Sequence, residues 1–278
     1  MQTRSLTTKA ALLIGPLLAL LVPATGRADP ALDQAWARRA EAGGLERAIV
    51  LHEAAARGDG ADVTVFERLL RMRFFRAQQR LSAGSAEQKG EYHRCVEDGL
   101  RGLQRFGDPV GPLALESLED LDEVRDRIPR AAVGILYWTA LCYGPTIRDA
   151  SLLRQPGAAK RFRRLVECSL RLDDTYFFAG PHRVLAEYLH AAPRIMGGDD
   201  DEARRHAEDA MRLYPNYPEN PLCRAENVWK PAGDRTAWAA DVDAALAAPL
   251  DGAPDAGLEY RAAVNRARAL RPRLAEHF

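Results

Sequence analysis

The stretch IMGGDDDEARRHAEDAMRLYP (Ile195–Pro215) decides the fold class. Ala203, Ala207 and Ala210 fall on one stripe of a 3.6-residue helix, where a helix facing an ordinary core carries Leu or Ile. Alanine on that stripe predicts that a second helix backbone comes very close. Gly197 and Gly198 permit the turn that brings it there, and Asp199, Asp200, Asp201 and Glu202 place negative charge at the positive end of the new helix. Pro215 stops that helix.

The same ruler can be laid elsewhere. From Gly198, small residues or breakers fall at offsets 5, 12 and 17, at Ala203, Ala210 and Pro215. From Gly43 they are Ala48, Ala55 and Gly60, and from Gly90 they are Cys95, Gly102 and Gly107. Between Gly and Pro boundaries such as Gly58-Asp59-Gly60, Gly144-Pro145 and Pro231–Gly233 run segments with helical period, for example Val65, Leu69, Met72 and Ala77. Strand-like alternation is almost absent. The expectation is an all-α, helical-repeat array of about ten to twelve helices in degenerate tetratricopeptide (TPR)-like units, ending in a helix at Leu258–Leu274.

The first residues read differently. Arg4 and Lys9 precede the uncharged apolar run Ala10–Val22, and Gly26 and Ala28 are the small residues before a cleavage point. This is the pattern of a secretory signal peptide over residues 1–28. Its apolar run of thirteen residues is shorter than the roughly 20 a spanning helix needs; the competing reading is a retained membrane anchor. Residues 29–278 then form one all-α TPR-like domain, exported and free of a membrane span after processing.

Over the whole chain 39 Lys and Arg balance 39 Asp and Glu, so removing Arg4, Lys9 and Arg27 leaves a slightly acidic remainder. That balance argues against nucleic acid or an anionic membrane as partner. The cysteines are Cys95, Cys142, Cys168 and Cys223. In an oxidising compartment they allow two disulfides in any of three pairings, or buried thiols, and their spacing matches no zinc motif.

Chemistry-bearing motifs are sparse. The chain has no HExxH, GxSxG or phosphate-binding glycine-lysine signature. His182 and His190 are two helical turns apart, roughly 12 Å along the axis, too far to share one metal ion. Asp199–Glu202 lacks the ligand spacing of a calcium loop. Neither Cys142 nor Cys168 has a sequence neighbour that would activate a thiolate. No catalytic residue, cofactor or metal is therefore expected. The aromatic residues do cluster: Tyr137, Trp138, Tyr143, Tyr176, Phe177, Phe178 and Trp229. They serve either as inter-helix core or as the lining of an apolar cleft, with His182 and Arg183 supplying polar contacts and Arg183 suited to a ligand carboxylate.

An ordered set of segments carries a resemblance. It comprises Leu136-Tyr137-Trp138-Thr139-Ala140, Leu172-Asp173, Phe178-Ala179-Gly180-Pro181-His182, Pro193 to Asp199, and Ala225-Glu226. Together these segments resemble the T-component family of tripartite ATP-independent periplasmic (TRAP) transporters. The resemblance implies a periplasmic, non-catalytic TPR-like protein that associates with a solute-binding protein, as adaptor or auxiliary carrier of a small apolar or carboxylate ligand. It also allows a homo-oligomer, with a trimer as one precedent. Candidate ligand-binding residues are Trp138, Tyr143, Tyr176, Phe178, His182, Arg183 and Trp229; Gly198, Ala203, Ala207, Ala210 and Pro215 are repeat-packing residues. The alternative is a generic periplasmic TPR scaffold for protein–protein interaction in envelope assembly.

Overall fold

The structure is a computed structural model that describes residues 29–106, 125–147, 155–249 and 253–278. Residues 1–28, where a signal peptide is expected, and Gly107, the last mark of the ruler laid from Gly90, lie outside the described residues. The architecture is all-α, with no strand among the described residues.

Side-chain caps explain where most of the N-terminal helices begin. Asp29 accepts from the Ala31 amide and opens α1 (Pro30–Ala37). Gly43 precedes α2 (Gly44–Ala56), Asp62 caps α3 (Val63–Gln79), and Ser85 caps α4 (Ala86–Gln104). Then come α5 (Val133–Ile147), α6 (Gln155–Leu172) and α7 (Tyr176–Ala191). Asp199 accepts from the Asp201 and Glu202 amides, both at 3.0 Å, and starts α8 (Asp200–Leu213). A short α9 (Glu219–Arg224) runs into a π turn at Ala225–Trp229. Asp234 caps α10 (Arg235–Ala247), and α11 (Gly257–Leu270) follows. The expected final helix at Leu258–Leu274 ends earlier, at Leu270. Pro272, which has no amide to donate, sits in a 3-10 turn at Arg271–Arg273, and a last short helix follows at Leu274–His277.

The interior is organised around α5. Its residues from Val133 to Ala140 are all buried, followed by Cys142 and Tyr143. A helix that is apolar on every side belongs in the middle, and α5 packs against α3, α4, α6 and α7. The chain also closes its ends on each other. Arg71 of α3, 7% exposed in its side chain, pairs with Asp255 at 2.9 Å and with Glu259 of α11 at 2.5 Å. The Trp36 indole of α1 donates to Asp255 at 2.9 Å.

The alanine stripe does what its sequence predicts. Ala203, Ala207 and Ala210 are fully buried, and Ala207 sits in one cluster with Ala186 of α7 and Cys223 of α9. Gly197 takes the left-handed turn at φ +88°, while Gly198 is needed for space: a Cβ there would lie 1.8 Å from the Ala192 carbonyl oxygen. Helix α8 ends two residues before Pro215. The ruler transfers unevenly. Gly43 lies between α1 and α2 as Gly198 lies before α8, but Gly90 falls inside α4. Cys95 and Gly102 are buried because α4 packs on α3 and α5: a Cβ at Gly102 would press on Phe66 and Ile135 at 3.0 Å.

One disulfide forms, joining Cys95 of α4 to Cys142 of α5, while Cys168 and Cys223 remain buried thiols. Two predictions follow from this packing. Gly198→Ala drives a methyl into a backbone carbonyl and is expected to lower stability by about 3 kcal/mol, read as a shift in the denaturation midpoint. The disulfide spans 47 residues, so a Cys95→Ala/Cys142→Ala double variant should lose about 4 kcal/mol by the loop-entropy relation. Urea denaturation of that variant against the oxidised protein measures it.

Candidate functional site

Helix α7 begins irregularly. Phe177, Phe178 and Ala179 have φ of 46°, 58° and 60°, three successive non-glycine residues in the left-handed region. Each costs about 1–2 kcal/mol relative to a right-handed turn, so something must hold them. That group is Arg183, 5% exposed. Its guanidinium donates to the Phe177 carbonyl at 3.0 Å, to the Phe178 carbonyl, and to Asn220 Oδ1 at 2.7 Å. Asn220 in turn donates to the Ala210 and Tyr214 carbonyls at the end of α8. Gly180 follows at once, where a Cβ would lie 2.6 Å from the Tyr137 ring.

The turn directs two rings in different directions. Phe177 meets Trp138 edge-on at 4.8 Å and lies near Tyr137 at 6.0 Å. Phe178 stacks on Tyr217 at 4.3 Å with planes 8° apart. Arg71 lies 4.7 Å from the Phe177 centroid and Arg183 lies 4.8 Å from that of Tyr217, so cations face both rings.

Beside these rings lies a half-enclosed cavity of about 200 Å³. Helix α3 contributes Phe74, Phe75, Gln78 and Gln79, and α5 contributes Tyr137, Trp138 and Leu141. Helix α7 adds Phe177, Arg183, Val184 and Glu187, while Glu259, Ala262 and Arg266 come from α11, with Tyr217 and Glu219 between. One side is aromatic and the other charged. Arg266 pairs with Glu219 at 3.1 Å. Glu187 stands exposed at the rim, while burial raises the Tyr137 hydroxyl to about 12. The tyrosines of this wall therefore stay neutral at physiological pH. Cys223 is buried and its thiol pushed up by desolvation, the opposite of an activated nucleophile.

The candidate residues are distributed as follows. Trp138 and Arg183 line the cavity. Tyr176 stands behind Trp138: its hydroxyl accepts from the Trp138 indole at 3.0 Å and donates to Glu67 at 2.6 Å. Phe178 faces a second hollow lined with Tyr214, Pro215 and Tyr260. Tyr143 is buried in the core, and Trp229 donates to Asp241 at 2.7 Å beside α10. His182 lies on another face of α7, its Nδ1 2.8 Å from His206 Nδ1 of α8, in an open hollow with Arg130 and Asp173. Burial lowers the pKa of both imidazoles, that of His182 further through its neighbour His206, while Glu202 pulls that of His206 the other way. His190 pairs instead with Asp200 at 2.8 Å.

Sequence reasoning missed α3 and α11 as walls of the cavity, and it missed His206 as the partner of His182. For the histidines a signal existed. In an antiparallel hairpin turning at residues 193–199, positions equidistant from 194 or 195 face each other, which sets His182 against His206 and His190 against Asp200.

Thus an all-α chain holds a small, half-open and partly apolar cavity between α3, α5, α7 and α11. Residues 83–278 match the model of the TRAP transporter T-component, and the chain belongs to that family. The family implies a role in TRAP transport. No curated protein matches the chain. No helix among the described residues is long and apolar enough to cross a membrane.

Arg183→Met removes the donors that hold the left-handed turn and leaves buried carbonyls unpaired. It is expected to cost about 3–5 kcal/mol and to alter the near-ultraviolet circular dichroism of the surrounding rings, measured at a temperature where the variant is folded.

Proposed function

We propose that this chain is a periplasmic, non-catalytic T-component with a degenerate TPR-like array, acting as adaptor and auxiliary ligand carrier beside a solute-binding protein. The observation that carries the carrier role is the cavity walled by Phe74, Tyr137, Trp138 and Phe177 on one side and by Glu187, Glu219 and Arg266 on the other. That division suits a small amphipathic molecule, with its apolar body against the rings and its polar end at the charged side. A ligand carboxylate is better served by Arg266 than by Arg183, because the Arg183 donors already hold Phe177, Phe178 and Asn220. Tyr176 supports this wall through Trp138 without touching the ligand. Family membership supports the transport context, and the export pattern of residues 1–28 supports the compartment.

Native mass spectrometry of the untagged chain from native periplasm, before and after denaturation, tests the reading. A bound small molecule is expected in the wild type and none in Ala262→Trp, whose indole fills the lumen from α11. A crosslinking pull-down should recover a solute-binding protein with both. A ligand-free wild type that recovers no such protein would sink the proposal.

A further inference from the structure

On the face of α7 that adjoins the cavity-lining one, two imidazoles meet nitrogen to nitrogen. His182 Nδ1 and His206 Nδ1 are 2.8 Å apart, and Asp209 completes a group whose ligand atoms all lie within 4.8 Å of one another. We propose that His182, His206 and Asp209 form a binding site for one late first-row divalent metal ion, with zinc as its representative.

Three features favour an ion over a bare N–H···N contact. First, Glu202, His206 and Asp209 occupy positions i, i+4 and i+7 of α8, so one helix face presents two ligands and a supporting carboxylate. Second, Glu202 Oε1 lies 3.9 Å from His206 Nε2. A carboxylate on that side favours the proton on Nε2 and turns the Nδ1 lone pair toward His182, the arrangement that supports a metal-bound histidine. Third, Asp209 uses Oδ1 for Arg212 at 2.8 Å, and a carboxylate has a second oxygen to give to a metal.

The ligand set suits the ion. Imidazole and carboxylate donors bind zinc, copper(II) and nickel well, and the order of intrinsic affinities disfavours manganese and iron(II). Tetrahedral zinc with Zn–N near 2.0–2.1 Å separates two nitrogens by about 3.3 Å. The rings would then move apart by about half an ångström on binding. With two histidines and one aspartate, the fourth position falls to water or an anion. His182 also lines the open hollow beside Arg130 and Asp173, which gives the ion a path from solvent. This site stands independently of the cavity and of what the cavity carries.

The test uses the untagged, mature-length chain stripped with a chelator and titrated with zinc, then with cobalt(II). One ion per chain is expected, with the visible cobalt spectrum of a four-coordinate nitrogen and oxygen site. His206→Gln and Asp209→Asn should each weaken zinc binding at least about tenfold, and Glu202→Gln by about 10–100-fold, as supporting carboxylates do. His190→Gln, which alters the neighbouring pair with Asp200, should leave binding unchanged. Should His206→Gln fail to fold, Asp209→Asn at the half-buried edge carries the same test. The absence of zinc binding to the wild type overturns the site, and so does binding that Asp209→Asn and His206→Gln leave intact.

Discussion

The structure depends on one buried guanidinium. Arg183 holds the carbonyls of Phe177 and Phe178 and the Asn220 side chain, and those bonds sustain three successive left-handed residues that would otherwise relax. The turn in turn sends Phe177 to the Trp138 side and Phe178 to the Tyr217 side. A right-handed start to α7 would rotate both rings away. The cavity would lose one wall, and the end of α8, tied through Asn220 to the Ala210 and Tyr214 carbonyls, would lose its link to α7. Strain in the backbone and order in the aromatic cluster thus have one cause.

A second constraint is the close approach of helix backbones. Burying a full Leu stripe on α8 would stabilise by apolar area but would hold α7 at a distance. Alanines at 203, 207 and 210 give up area and gain proximity. That proximity lets side chains just outside the stripe meet directly, as His182 and His206 do. The outer closure works by charge instead. Arg71 links α3 to the start of α11 through Asp255 and Glu259, and the cavity opens between these same helices. A buried arginine with two carboxylates is expensive to desolvate, but once formed it fixes the angle between the first and last parts of the chain.

Much of this was legible in the residues. The alanine stripe, the Asp199 cap and the Pro215 stop were readable because each acts locally, within one helix and its turn. The segment around Trp138 was readable for its family pattern, and its central position in the fold came only with the structure. Trp138 could be selected from the aromatic cluster and Arg183 as a guanidinium beside it. Phe178 and Trp229 were drawn in by the same aromatic count, yet a ring's composition does not tell which way it points. The left-handed turn was invisible: Phe-Phe-Ala has no glycine to announce a positive φ, and Arg183 stabilises it from a later turn of the helix. Gly90 was misread because a glycine within a helix and a glycine between helices look alike in sequence. Ala262 and Arg266 reach the cavity only through the closure of the ends, and no local pattern encodes a contact made across some 190 residues.

The two faces of α7 show how one helix serves two purposes without conflict. Arg183, Val184 and Glu187 follow the i, i+1, i+4 spacing of one face and line the cavity. His182 and Ala186 follow the i, i+4 spacing of the adjoining face and meet α8. The first face must leave space, and the second must exclude it. Residues 182 and 183 are neighbours in sequence but about 100° apart around the axis, so each can obey its own packing rule. Because the alanine stripe clamps one face and Arg183 anchors the start of the other, α7 cannot roll to relieve one side without breaking bonds on the second. The cavity wall is therefore set by the packing of the helices themselves.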